Sequence, residues 1–407
     1  MVKLIKYELK KNFLKRSIII ALLIFSVINI VKIISVHNDN SLFGSDMPAS
    51  WKSVYWQQYD NFSGQMTQEK IENLMTVYRP LEQQTADLTA STAMDNPNTY
   101  TGNVYSDYYL LKWCYVQPME YAYMYRNTAD EIVQTAEENM QFYSDYGNEY
   151  LRKENATIAK LFSERTVPDF AYTEMYQYYL EYDFSALLVI LLCLYGLVGV
   201  FVSEKESDMD TLLLTTISGG KKTVFAKIIA STIFIISVCA WFWLLDFVAF
   251  SFSFGSLEAA SSPVFALQNF QYSSVNMSMS QYAFLSAGVK TLGMLVIGMA
   301  VLLISSKSKN ALIPFLASLI LSGGMILAQE MTAGSGNVIT KILNPFILVA
   351  NKELFSKVEF TNLFGTPILS YVAAIVCAVV SGGVLILLIM LSARKSTVAI
   401  RKKVLRK

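Results

Sequence analysis

Six long apolar runs, separated by polar segments, dominate the hydrophobic pattern of this chain. They extend over Ser17–Val36, Phe184–Ser203, Val224–Phe252, Tyr282–Ser305, Ala311–Gln329 and Pro367–Leu391. Each run is close to the ~20 residues that an α-helix needs to cross the hydrocarbon core of a bilayer. A transmembrane β-barrel would instead show short segments of alternating polarity. The pattern therefore predicts an all-α polytopic membrane protein with six transmembrane helices.

Composition agrees with a membrane protein. Apolar residues make up 53% of the chain and charged residues 16%, whereas about 25% of the residues of a soluble domain are charged. The first apolar run is too long for the core of a signal peptide, so we expect it to be retained as a span.

The small net charge of +1 conceals a strong asymmetry in where the basic residues lie. They precede the first apolar run, follow the last, and occupy the turn between the fourth and fifth: Lys3, Lys6, Lys10, Lys11, Lys15, Arg16, Lys307, Lys309, Arg394, Lys395, Arg401, Lys402, Lys403, Arg406 and Lys407. Basic residues near the ends of spans stay in the cytoplasm. We therefore expect a multi-pass protein of the plasma membrane with both termini cytoplasmic, which six spans satisfy.

This orientation predicts the domain layout. Residues 1–16 are expected to form a cytoplasmic amphipathic helix that contacts membrane lipids, because Ile5, Leu9 and Phe13 form one apolar stripe among lysines. Residues 17–36 form the first transmembrane helix, and 37–183 a large extracellular domain. Residues 184–407 carry the other five spans, the cytoplasmic loop 204–223 and a basic tail.

The extracellular domain is expected to be mainly helical, because its apolar residues recur with helical rather than strand spacing. The predicted helices cover Glu69–Leu88, Val104–Arg126 and Thr128–Phe162. Pro80 and Pro118 are expected to break the first two. Thr128 with Glu131 is typical of a capping box, and residues 145–148 of a turn. Near the end of the chain, the apolar segment 341–366 predicts short helices in the outer leaflet.

The cytoplasmic loop 204–223 contains the sequence signals of a short amphipathic helix, which a simple connection between two spans would not need. Ser207 and Asp210 form a second predicted capping box. The residues that follow place Met209, Leu212, Leu213 and Thr216 on one apolar face of a short helix. Gly219 and Gly220 are expected to end this helix. Such a helix either lies flat on the membrane or docks into a groove of a partner.

Motifs of catalysis are absent from the sequence. The chain has one histidine, His37, and contains no HExxH, GxSxG, CxxC or P-loop motif. We therefore predict no catalytic residue, no metal site and no cofactor in this chain, and a membrane enzyme is a poor interpretation. Two ionisable residues lie within apolar runs, Asp246 and Lys290. They either pair or line a pathway, or they lie near the outer interface; both interpretations stay open.

Three segments together resemble one family. They are the opening VKLIKYELKKNFLKRS, the segment FVSEKESDMDTLLLTTISGGKKTVFAKIIA and the pair LNPF with NLFGTPI before the last span. The set is similar to the ABC-2 type permeases, the membrane subunits of bacterial ABC exporters. The likeness covers the transmembrane part but not 37–183, and a large domain at that place departs from the commonest pattern of the family.

The resemblance implies a partner and a mechanism. Two permease subunits, identical or related, would pair with two ABC ATPase subunits, which would bind ATP and Mg²⁺. The coupling residues would be Glu204, Asp208, Met209, Asp210, Leu212, Leu213, Thr216 and Lys227, with the stripe Ile5, Leu9 and Phe13 beside them. The cargo would be a peptide, an antimicrobial or an envelope-associated compound, and no nucleic-acid partner is expected. The alternative is a non-transporting sensor or immunity protein whose extracellular domain binds a ligand.

Overall fold

The computed structural model describes residues 1–44, 48–86, 100–207, 209, 220–332 and 338–404, with side chains through residue 392. The helices are α1 (Val2–Asn12), α2 (Arg16–Asn40), α3 (Ala49–Phe62), α4 (Gln68–Thr85), α5 (Val104–Leu111), α6 (Gln117–Asp145), α7 (Glu149–Phe162), α8 (Glu174–Glu181), α9 (Phe184–Leu197), α10 (Gly199–Glu206), α11 (Lys221–Phe254), α12 (Met279–Lys307), α13 (Leu312–Thr332), α14 (Val338–Leu343), α15 (Phe346–Val349), α16 (Lys352–Ser356) and α17 (Ser370–Val404). A π-helical turn, Lys112–Val116, joins α5 to α6, and three 3-10 turns lie between α11 and α12: Glu258–Ser261, Val264–Ala266 and Gln268–Phe270. Short strands form two antiparallel pairs, β1 (Gly64–Gln65) with β2 (Asp169–Phe170) and β3 (Phe360–Leu363) with β4 (Thr366–Leu369).

Six helical stretches are long and apolar enough to cross a membrane. They are Arg16–Asn40, Glu174–Glu206, Lys221–Phe254, Met279–Lys307, Leu312–Thr332 and Ser370–Ser392, and we call them the first to sixth spans. They coincide with the six predicted apolar runs, so the prediction of an all-α polytopic protein is confirmed.

The spans are buried to very different extents. In the most apolar window of the second span 72% of the residues are buried, against 22%, 17% and 17% in the first, fifth and sixth spans. The second span therefore lies at the centre of the bundle. The outer faces of the first, fifth and sixth spans consist of exposed aliphatic side chains, as is appropriate for contact with lipid or with another membrane helix.

Helix α1, the end of the second span and the start of the third lie at one end of this bundle. There Lys205 Nζ donates to the carbonyl of Ser308, 2.9 Å away, and Glu206 Oε1 accepts from the backbone N–H of Ala311 at 2.8 Å. These bonds join the end of the second span to the turn between the fourth and fifth. We call this end the basic end, and the opposite end, which carries residues 37–183, the domain end.

Residues 37–183 form a mainly helical domain with its own core, which we call the inter-span domain. The core is rich in tyrosine: Tyr55, Tyr59, Tyr115 and Tyr172 are buried together, with the rings of Tyr55 and Tyr115 stacked at 5.0 Å. The pairing of Gly64 with Phe170 joins the start of the domain to its end. These tyrosines therefore serve packing, and the hydroxyls of Tyr59, Tyr115 and Tyr172 form hydrogen bonds within the domain.

Three local predictions inside the domain were wrong. Pro80 lies within α4, which continues to Thr85, because the buried residues Leu74 and Tyr78 hold the helix in place. Pro118 follows a π-helical turn, Lys112–Val116, through which α5 continues into α6 with helical backbone angles, so the helix is not broken there. Thr128 lies in the middle of α6, beside the buried Ala129. In each case the helix continues, because packing of its side chains outweighs the preference of the proline or the capping residue for a helix end. The predicted turn at 145–148 is confirmed, since α6 ends at Asp145 and α7 begins at Glu149.

The apolar segment after the fifth span folds as α14, α15 and α16, so the prediction of short helices there is confirmed. The sequence predicted that lipid of the outer leaflet would cover their apolar residues, whereas the structure buries several of them in protein. Phe346, Ile347 and Phe355 are buried in the bundle core. The segment also contains the β3–β4 hairpin, which was not predicted. Its two-residue turn has positive φ at both Phe364 and Gly365, the type I′ geometry whose twist matches that of the strands.

Candidate functional site

The basic end of the bundle contains a buried cluster of charged side chains. Lys227, at the start of the third span, is 2% exposed. Its Nζ lies 2.9 Å from Glu204 Oε1, at the end of the second span, and 3.7 Å from Glu8 Oε2 of α1. One ammonium group thus joins three separate elements of the chain. We call Glu8, Lys11, Glu204 and Lys227 the charge cluster.

Further contacts complete the charge cluster. Lys11 Nζ lies 2.5 Å from Glu204 Oε1, and Asn12 Nδ2 donates to Glu8 Oε2 at 2.8 Å. Lys227 Nζ also donates to the carbonyl of Val200 at 2.5 Å. Two lysines and two glutamates therefore balance in charge, and each carboxylate has a donor. A buried ion pair is tolerated only when its remaining hydrogen-bonding capacity is satisfied in this way.

The apolar stripe of α1 lies against the same region. Phe13 is buried and its ring stacks on that of Phe234 in the third span, with centroids 4.4 Å apart. Ile5 and Leu9 pack on the same hydrophobic core. The sequence predicted that this stripe would face membrane lipids, whereas in the structure it faces the protein. Helix α1 is therefore fixed to the bundle on one side by apolar contacts and on another by the charge cluster.

The sequence-predicted coupling residues fall into two groups. Glu204 and Lys227 are described, and the structure brings them together. Met209 is described and exposed. Asp208, Asp210, Leu212, Leu213 and Thr216, and with them the predicted helix, lie outside the described residues. At the far end of this segment Gly220 has φ +74°, a backbone conformation that glycine adopts without strain.

A second polar group lies near the domain end, inside the bundle. Asp246 of the third span is 3% exposed. Its Oδ1 accepts from Asn29 Nδ2 of the first span at 2.5 Å, and Asn29 Oδ1 accepts from the hydroxyl of Tyr182 at 2.8 Å. The predicted intramembrane acid is therefore buried between spans, in hydrogen bonds to neutral groups.

Lys290, the other predicted intramembrane residue, pairs with a different acid. Its Nζ lies 2.9 Å from Asp183 Oδ1 and 3.2 Å from the carbonyl of Tyr182. Lys290 and Asp246 line the same small cavity, together with Tyr182 and Ser286. The two residues thus share a polar site, each with its own partner. Sequence reasoning missed Asn29, although an asparagine in the middle of an apolar run is a signal for such a bond.

A buried arginine joins the inter-span domain to the spans. Arg165 is 2% exposed, and its Nη2 donates to the carbonyls of Ser273 and Val275, at 3.0 and 3.4 Å, in the loop between the third and fourth spans. The ring of Phe265 lies 4.9 Å from the guanidinium carbon. Burial lowers the pKa of this guanidinium below its ordinary value. Within the described chain no carboxylate forms a salt bridge with it.

The hydroxyls of two tyrosines in α6 strengthen this connection. Tyr121 donates to the carbonyl of Phe265 and Tyr125 to that of Gln271, both at 2.8 Å. The ring of Tyr125 also stacks on Phe265, with 9° between the planes. Hydrogen bonds and ring stacking therefore join the inter-span domain to the loop that leads into the fourth span.

Comparison of the chain with protein-family models, with curated proteins and with solved structures finds no match.

Proposed function

We propose that this chain is the transmembrane permease subunit of a bacterial ABC exporter that moves a peptide, an antimicrobial or an envelope-associated compound. The observation that carries the proposal is the charge cluster. It joins Glu204, where the loop 204–223 begins, to Lys227, four residues past the end of the loop, and it joins both of them to α1. A loop braced in this way can pass a push from a soluble partner to the second and third spans.

The roles of the predicted coupling residues follow from this arrangement. Glu204 and Lys227 are buried, so they act by positioning the loop. The contact with the ATPase belongs to the loop itself, through Met209, Leu212, Leu213 and Thr216, with Asp208 and Asp210 at the start of the predicted helix. The second span, from which the loop begins, is the most buried of the six spans. A displacement of the loop would therefore reach most of the other spans.

The remaining parts of the exporter are supplied by partners. The ATPase would hold ATP and Mg²⁺, since the sequence has no P-loop of its own. A second permease subunit, identical or related, would complete the pathway. The positive-inside rule supports a plasma-membrane orientation with the basic end and both termini in the cytoplasm and the inter-span domain outside.

The experiment replaces Leu212 and Leu213 together by aspartate. Charges placed in a dry contact are costly when unpaired, so we expect the ATPase to be lost from the purified complex and cargo-stimulated ATP hydrolysis with it. Membrane insertion is expected to be normal, since no span is changed. The matched control replaces the exposed Lys221 and Lys222 by alanine, at the end of the same loop but outside the predicted apolar face. An ATPase that still co-purifies with the aspartate variant at the wild-type yield would refute the coupling role.

A second candidate is a non-transporting sensor or immunity protein. The observation that favours it is the firm connection of the inter-span domain to the loop before the fourth span, through Arg165, Tyr121 and Tyr125, because ligand binding outside could then reach the spans directly. This candidate needs no ATPase. Purification of the chain from its native membrane, with identification of the proteins that accompany it, separates the two.

A further inference from the structure

The acidic residues of this chain are concentrated in the inter-span domain. Residues 37–183 contain 22 Asp and Glu against 9 Lys and Arg, whereas the whole chain has 32 and 33. A domain of this charge creates a negative field that raises the local concentration of cations and speeds their association. This negative field does not by itself locate a binding site, but it favours a positively charged ligand over a negatively charged one.

Two concave surfaces of the domain meet along α6. The first, which we call the polar cleft, lies between the start of α6, the end of β2 and the loop before the fourth span, and has a volume of about 670 Å³. The second, which we call the methionine groove, lies between α4 and α6 and has a volume of about 600 Å³. Each is within the range of ligand-binding pockets, roughly 300–1,000 Å³. Gln117, Glu120 and Met124 line both.

The polar cleft has the chemistry of a cation site. Its charged lining residues are Glu120 and Asp169, and among the described residues no lysine, arginine or histidine lines it. Neither carboxylate forms a salt bridge with a described residue, so both remain free to accept from a ligand. The indole of Trp113, which is 38% exposed, adds an aromatic face that attracts ammonium and guanidinium groups.

The methionine groove offers apolar contact beside the cleft. Met75, Met119 and Met124 line it together with the rings of Tyr78 and Tyr123. Its charged lining residues are Arg79, Glu82, Lys112 and the shared Glu120, so its positive and negative charges balance. Methionine side chains are unbranched and polarisable, and they adapt to apolar ligands of different shape. A ligand that places positive charge in the polar cleft and apolar groups on the methionines therefore fits the two surfaces.

We propose that the polar cleft and the methionine groove together bind a cationic amphipathic peptide. Its basic side chains occupy the polar cleft against Glu120 and Asp169, and its apolar side chains occupy the methionine groove. The role of this peptide as cargo rests on the proposed function, whereas its binding does not. Because Tyr121 fixes the wall of the cleft to the loop before the fourth span, the bound peptide lies next to the bundle.

The test measures binding to the purified full chain in nanodiscs of zwitterionic phosphatidylcholine, without an ATPase. The probe is a fluorescent amphipathic peptide of lysine and leucine, and its counterpart has glutamate in place of lysine. We expect saturable binding of the lysine peptide that weakens as salt is raised, and at least tenfold weaker binding of the glutamate peptide. Equal binding of the two peptides would overturn the proposal.

Variants locate the site. Glu120→Gln with Asp169→Asn removes both cleft carboxylates without changing side-chain size, and we expect at least a tenfold loss of affinity. The matched control, Glu137→Gln with Asp145→Asn, removes the same charge from exposed positions of α6 outside both surfaces, and we expect less than a twofold loss. An equal loss in the two variants means that only the diffuse charge attracts the peptide, which overturns the assigned site.

A further measurement on the unmodified chain needs no variant. A photoreactive group on the lysine peptide is expected to form adducts within residues 113–124 or 262–268, and adducts confined to the spans would contradict the site. Failure of the proposed exporter function would give a different result. The peptide would still bind at the polar cleft, but no ATPase would co-purify with the chain.

Discussion

Replacement of Lys227 by methionine tests whether the charge cluster holds α1 to the bundle. Methionine keeps much of the side-chain volume and removes the charge. Glu204 would retain Lys11 at 2.5 Å, whereas Glu8, itself 2% exposed, would retain only the amide of Asn12. The change therefore leaves one buried carboxylate without a countercharge. Removal of one partner from a buried ion pair lowers the free energy of unfolding by about 3–5 kcal/mol.

The assay is unfolding of the purified chain by sodium dodecyl sulfate in mixed micelles, followed with a thiol-reactive dye. Cys193 and Cys239 are buried in the bundle core, so they react only as the spans separate. The control Lys222→Met, at an exposed position of the same helix, is expected to change stability by less than about 0.5 kcal/mol. Glu8→Gln added to Lys227→Met should recover most of the loss. Equal effects of Lys227→Met and Lys222→Met, or no recovery by Glu8→Gln, would refute the reasoning.

Three further predictions follow from named contacts. Asn29→Leu should lower the free energy of unfolding by about 1–3 kcal/mol, because Asp246 loses a buried hydrogen-bond donor. The double variant Asn29→Leu with Asp246→Leu should lose less stability than Asn29→Leu alone, and additive losses in the same assay would contradict this. Gly293→Ala should lower the free energy of unfolding by about 1–3 kcal/mol, because the added Cβ would lie 2.9 Å from the Pro345 carbonyl oxygen. The control Gly323→Ala should not destabilise the protein, because no atom lies within 4 Å of the added Cβ. A cysteine at the exposed Tyr146 should react with a membrane-impermeant thiol reagent in intact cells and one at Lys222 should not, and the reverse labelling would exclude the proposed orientation.

The spans could be predicted from the sequence because a membrane helix is a local property of about twenty consecutive residues. Packing between distant segments could not. Glu8 is a single acid among lysines in a short helix, and nothing near it in the sequence indicates that it pairs with Lys227. Ile5, Leu9 and Phe13 were recognised correctly as an apolar face of a helix. Whether this face contacts lipid or protein depends on the third span, which is distant in the sequence.

The same distinction explains the errors in the inter-span domain. A capping signal at Thr128 and a proline at position 80 each favour a helix end by a few kcal/mol at most. The buried side chains of α4 and α6 outweigh that preference, and their burial is known only once the domain core is known. The hairpin at 360–369 did carry a local signal, since Gly365 follows Phe364 between two runs of strand-forming residues, and sequence reasoning missed it.

The pairing of Glu8 with Lys227 also has a consequence for biosynthesis. The two residues are separated by 219 positions, so at roughly 5–20 residues per second the ribosome needs on the order of 10–40 s to supply the partner. During that interval α1 has no protein surface to cover its apolar stripe. Its lysines and its apolar stripe suit it to rest on an anionic membrane surface meanwhile. Helix α1 is thus synthesised well before the third span, against which its apolar stripe packs in the folded protein.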